Sequence, residues 1–160
     1  MASLDALING LEAVADTLQL TTSMILVKNE DEIKQVLQYR LMNSGEDANG
    51  NLIGGGQYSP VTIRHKLFTN QETGHFTLFD EGNFHKGMFV KLVKDLALIG
   101  SKELHNDNPK GSLTDRYGEA ILGLTEDETE QVIELWVDPD LQKEINKTLP
   151  STFQHSYRSC

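Results

Sequence analysis

The chain has 160 residues, 38% of them hydrophobic and 24% charged, with a net charge of −10. That length and balance fit one globular domain with a buried core and a largely polar surface. The charge argues against binding to phosphate backbones, which depends on basic patches, and Cys160, the only cysteine, can form neither an intrachain disulfide nor a cysteine-ligated zinc site.

No apolar run approaches the ~20 residues needed to cross a bilayer, the longest being Met24–Val27 and Leu96–Ile99. Met1 to Gly10 contains Asp5 and no lysine or arginine, which does not fit a secretory signal. The expectation is a protein that folds in the cytoplasm of the cell that makes it and engages no membrane.

From Ser3, a good N-cap, Leu4, Leu7, Ile8, Leu11, Val14 and Leu18 recur at helical spacing. Met24 to Val27 fits strand or helix equally. A second helix is predicted over about Asn29–Met42, with Ile33, Val36, Leu37, Arg40 and Leu41 in period and Asn29 with Glu32 resembling a capping box. Gly45 to Gln57 reads as a loop with an Asn49-Gly50 turn and a flexible Gly54-Gly55-Gly56 run. Ser59 then caps a short helix with Pro60 at its first position, ending near Phe68.

Phe76 and Leu78 alternate, and Asp80, Glu81, Gly82 and Asn83 supply a structural turn, giving a hairpin or a strand-turn-helix. Gly82 is the residue expected at positive φ. Met88 to Val93 and Leu96 to Ile99 carry the β character, and Lys102 to Ser112 is a polar loop. Three helices follow: Leu113 to about Tyr117, Glu126 to Trp136 with Thr125 as N-cap, and Pro139 to Leu149 with Asp138 as N-cap. The predicted class is α+β, with N-terminal helices, a small antiparallel sheet in the middle and C-terminal helices. Residues 1–150 form a single domain in this reading, and 151–160 a flexible tail.

Chemical signatures are weak. His65, His75 and His85 are evenly spaced, which is not a ligand pattern, and no H-E-x-x-H frame is present. Asp47-Ala48-Asn49-Gly50-Asn51 has the wrong register for a calcium loop. The triple glycine lacks the Gly-Lys-Ser/Thr ending of a phosphate cradle, and no serine lies in a Gly-x-Ser-x-Gly elbow. No catalytic, metal or cofactor-binding residue is assigned. Gly54, Gly55, Gly56 and Gln57 in the loop, and Phe153 and Tyr157 in the tail, read instead as contact arms for neighbouring proteins.

Three segments in order, Tyr58-Ser59-Pro60-Val61-Thr62, then Leu78 through Asp80-Glu81-Gly82-Asn83 to Val90, then Tyr117-Gly118-Glu119-Ala120-Ile121-Leu122-Gly123-Leu124, resemble small virion proteins of Bacteroides-type and crAss-like phages. More loosely, they are similar to the neck and tail-completion (head-tail connector) proteins of tailed phages. The resemblance covers roughly residues 30 to 135 and departs from the broader family at Glu81, where threonine is usual, and at Gly87, where serine is usual. It implies a homo-oligomeric ring or collar subunit at the head-tail junction of the virion, made in the bacterial host, partnered by portal, adaptor or tail proteins, and without direct nucleic-acid binding. Around a DNA path, Glu126, Asp127, Glu128 and Glu130 would repel phosphates, although the first turn of a helix favours the same acids. Two rivals are an intracellular adaptor that binds a host protein through its acidic helices and a small hydrolase using His75, His85 and Asp80.

Overall fold

A computed structural model describes residues 4–102 and 111–148, with side chains for 15–102 and 111–144. Ser3, the tail with Phe153 and Tyr157, and most of the predicted polar loop after Lys102 therefore lie outside the described residues.

The protein is α+β, with helices toward both ends of the chain and a two-stranded antiparallel sheet between them. Helix α1 spans Leu4–Lys28, so Met24 to Val27 is its last turn. Helix α2 follows at once over Glu30–Asn43. The expected capping box at Asn29 does not form. The Asn29 side chain turns back and donates to the Ile25 carbonyl at 2.8 Å, and its N–H binds the same oxygen at 3.1 Å. With one residue between two helices, Asn29 closes the end of α1 instead of capping the start of α2.

On α2, Ile33, Leu37 and Leu41 repeat every four residues and are at most 1% exposed. They anchor a core completed by Ile25, Ile53, Leu78, Phe84, Met88, Val90, Ile121, Leu122, Val132 and Val137.

The loop after α2 is more ordered than a glycine run with nothing to pack. Asp47 Oδ1 accepts from the N–H groups of Asn49 at 2.8 Å and Asn51 at 2.9 Å, while Glu46 and Leu52 pair as an antiparallel bridge. Ala48 donates to the Ala120 carbonyl at 2.9 Å, and a 3-10 turn over Ile53–Gly56 buries both of its end residues. Gly54 has φ +60 and lies so close to the Phe76 ring that a Cβ there would meet it at 2.8 Å. All three glycines have positive φ, which favours glycine, and Gly54 is required by the tight aromatic contact as well.

Helix α3, Pro60–Phe68, begins as expected: Ser59 Oγ accepts from Thr62 N–H at 3.2 Å, with Pro60 at the first position. Phe76 to Leu78 forms no strand, and Leu78, at φ +51, leaves the extended region and breaks the alternation. Gly82 has φ +80 and opens the four-residue helix α4, Asn83–Lys86.

Strands β1, Met88–Val93, and β2, Leu96–Ser101, pair from Met88↔Ser101 to Val93↔Leu96 around the two-residue tip Lys94-Asp95. Alternation sends Met88 and Val90 inward, toward α1 and α2. The tip is pinned to α1, since the Asp95 carbonyl accepts from Ser23 Oγ at 2.9 Å.

Helix α5, Leu113–Tyr117, starts at a Ser112/Asp115 capping box and leads through a 3-10 turn, Glu119–Leu122, to α6, Glu126–Val132. Thr125 caps α6 as predicted, in a reciprocal box with Glu128. Asp138 is not an N-cap. A π-helical turn over Ile133–Val137 carries the chain without a break into α7, Asp138–Thr148. Pro139 has no N–H and its ring would clash with a carbonyl four residues earlier, so the wider turn lets one helical rod pass through a proline.

Candidate assembly surface

Two buried polar nodes hold the scaffold. The first is Arg40, which stands at an apolar position of α2 and is 7% exposed. Its guanidinium donates to the carbonyls of Glu46 at 3.1 Å and Gly123 at 2.8 Å and pairs with the Glu128 carboxylate. The same Glu128 oxygen accepts from Thr125 N–H at 2.8 Å. One carboxylate therefore caps α6 and neutralises a buried cation, which removes Glu128 from the solvated acids; Glu126, Asp127 and Glu130 are exposed.

The second node gathers around Thr77, which is 1% exposed. Tyr58 Oη accepts from Thr77 N–H at 2.9 Å, and His85 Nε2–H donates to the Thr77 carbonyl at 2.8 Å. Burial pulls the His85 pKa below its ordinary value, against the opposing effect of that hydrogen bond. Lys66 Nζ binds Gln71 Oε1 at 2.9 Å and the Phe79 carbonyl, and lies 4.8 Å from the Tyr58 ring centroid. Phe76 stacks on Tyr58 at 4.2 Å and meets Tyr117 edge-on at 5.7 Å. At the far end, Asp140 pairs with Lys143 and with Lys28 of α1, and these partners lower its pKa to about 2.

Of the residues singled out from sequence, His85 lies in the second node and the others have partners of their own. The Asp80 carbonyl accepts from Gln71 at 2.7 Å and its carboxylate lies 3.6 Å from His65. Glu81 accepts from Asn83 at 3.3 Å and, through its carbonyl, from Lys86 at 3.2 Å. His75 binds the Met42 carbonyl at 2.9 Å. The polar groups of His75, His85 and Asp80 thus face separate partners. Among the described residues no group of three or more His, Cys, Asp or Glu side chains could hold a metal ion, and no helix is long and apolar enough to cross a membrane. Gly54, Gly55 and Gln57 are exposed at the loop surface, while Gly56 is buried.

The surface is unusual where it is apolar. Helix α3 turns Lys66 inward and leaves Val61 79%, Leu67 64% and Phe68 91% exposed. Normal amphipathicity is reversed, with the cation inside and the large apolar groups outside. The outward face of the sheet is also apolar: the cross-strand pairs Phe89/Gly100, Lys91/Leu98 and Val93/Leu96 share it, and Leu96 is 61% exposed. The sequence reading missed both faces. The signal available to it was a helix whose period places Lys66 where a core residue belongs. Compared with protein families, curated proteins and solved structures, the chain shows no match.

Proposed function

We propose that this chain is a structural subunit that works by packing against other proteins, and that its setting is the one its sequence resemblance implies, the neck or tail of a tailed-phage virion. The observation that carries the reading is the reversed helix α3. A helix that spends its inward position on Lys66 and leaves Phe68 91% exposed has its apolar partner elsewhere. Burying that phenyl ring on a neighbour is worth roughly 1.5–3 kcal/mol, and large aromatic side chains dominate interface energetics. The polar nodes support a scaffold role, since their groups are bound to one another and to main chain. The chain then partners other virion proteins, binds no nucleic acid directly, and sits in the particle as a ring.

The test is incorporation. Particles purified from a host that makes the chain should contain it at a fixed stoichiometry, and Phe68→Ser should fold normally yet be lost from them. Full incorporation of Phe68→Ser, or a chain found only in the soluble fraction, would remove the basis for the reading.

A further inference from the structure

We infer that copies of this chain contact one another head to tail, the outward sheet face of one against the α6/π-turn face of the next. This rests on the assembly reading above and names one of its contacts. The carrying observation is charge complementarity between two exposed faces that each contain apolar groups. The sheet segment 88–102 carries Lys91, Lys94 and Lys102 against Asp95 alone, a balance of +2 (three minus one) in a chain of net −10. Lys91 lies 4.9 Å and Lys102 5.8 Å from the Phe89 ring centroid, so two of these cations stand over the outward aromatic. All three lysines are exposed, alongside Val93, Leu96 and Leu98.

The opposing face has the converse composition. Residues 126–138 contain six acids and no lysine or arginine. Glu128 is committed to Arg40, whereas Glu126, Asp127, Glu130, Glu134 and Asp138 are exposed; by helical spacing Asp127, Glu130, Glu134 and Asp138 form a stripe, with Ile133, 41% exposed, on one flank and Leu135, 55% exposed, on the other. An apolar, basic strand pair against an apolar, acidic helix satisfies both surfaces. Two different patches meeting make a heterologous contact, which closes into a ring when the rotation permits. The exposed acids then face a neighbouring subunit instead of a DNA path.

Salt is a poor probe, because it screens both this attraction and the repulsion between acidic copies. Charge exchange separates them. The experiment is sedimentation velocity of the full chain over a concentration series, with cross-linking of mixed isotope-labelled and unlabelled protein to identify contacts between copies. The wild type should associate with rising concentration and yield cross-links from Lys91 or Lys94 to acids of 126–134. Lys91→Glu with Lys94→Glu, and separately Glu130→Lys with Glu134→Lys, should each weaken association by about tenfold or more. The two variants mixed, and one chain carrying all four changes, should both regain it. A hairpin-to-hairpin dimer would be rescued by mixing but not by the fourfold variant, and that result overturns the proposal. So does a wild type that stays monomeric without such cross-links; incorporation of Phe68→Ser into particles then reads the assembly function separately.

Discussion

Replacing Arg40 with methionine tests the scaffold most sharply. The substitution keeps helix propensity and most of the side-chain volume but removes three bonds, to the Glu46 carbonyl, the Gly123 carbonyl and the Glu128 carboxylate. Leaving a buried acceptor unsatisfied costs about 1–3 kcal/mol each, and breaking a buried ion pair from one side costs about 3–5 kcal/mol. The terms overlap, since Glu128 keeps its bond from Thr125 and is 14% exposed, so we expect a net loss of about 3–4 kcal/mol. At about 2–4 °C per kcal/mol for a chain this long, the melting temperature should fall by roughly 10 °C. Urea unfolding followed by fluorescence of Trp136, the only tryptophan, measures it. Arg40→Met with Glu128→Met should recover part of the loss, because the pair is removed together and only the carbonyls and the Thr125 cap remain unserved. A single variant within about 1 kcal/mol of wild type would refute the claim that these buried bonds hold the scaffold.

Other expectations follow from single features. Gly82→Val should destabilise by about 1 kcal/mol or more, measured by the same unfolding assay, because φ is +80 and a Cβ would lie 2.9 Å from the Phe79 ring. His85 has a folded pKa below its unfolded value, so stability is unaffected above about pH 6.5 and declines as pH falls from there through the folded value. A pH series on wild type and His85→Gln should show the slope in that window only where the imidazole is present. Asp140 acts at lower pH: its contribution is present above 3.8 and lost as pH falls through about 2, so Asp140→Asn should flatten the acid limb of the stability curve.

The local signals in the sequence were the readable ones. Ser59-Pro60 and Thr125-x-x-Glu128 start helices through bonds within one turn, and both form. The sheet was legible because Met88 and Val90 alternate with outward residues. What could not be read involves distance or strain. Glu128 looks like an ordinary first-turn acid until a partner 88 residues away claims it. Phe76 to Leu78 has strand alternation, yet Leu78 adopts φ +51 where tertiary packing overrides local preference. At Asn29 and Asp138 the sequence offers cap residues, but the Asn29 side chain turns back onto the Ile25 carbonyl at the end of α1, and Asp138 lies within a continuous helical rod, where a cap has no orphan groups to serve. The loop 45–57 seemed free because its composition is poor in side chains; its order comes from main-chain bonds and from Phe76 closing over Gly54.

The claim that this chain acts by assembly is tested most directly by counting it in purified particles. Quantitative mass spectrometry of virions from the host culture should find a constant number of copies per particle for the wild type, and none for Phe68→Ser despite an unchanged melting temperature. Particles that lack the wild-type chain, while it persists at high level in the soluble fraction, would contradict the account.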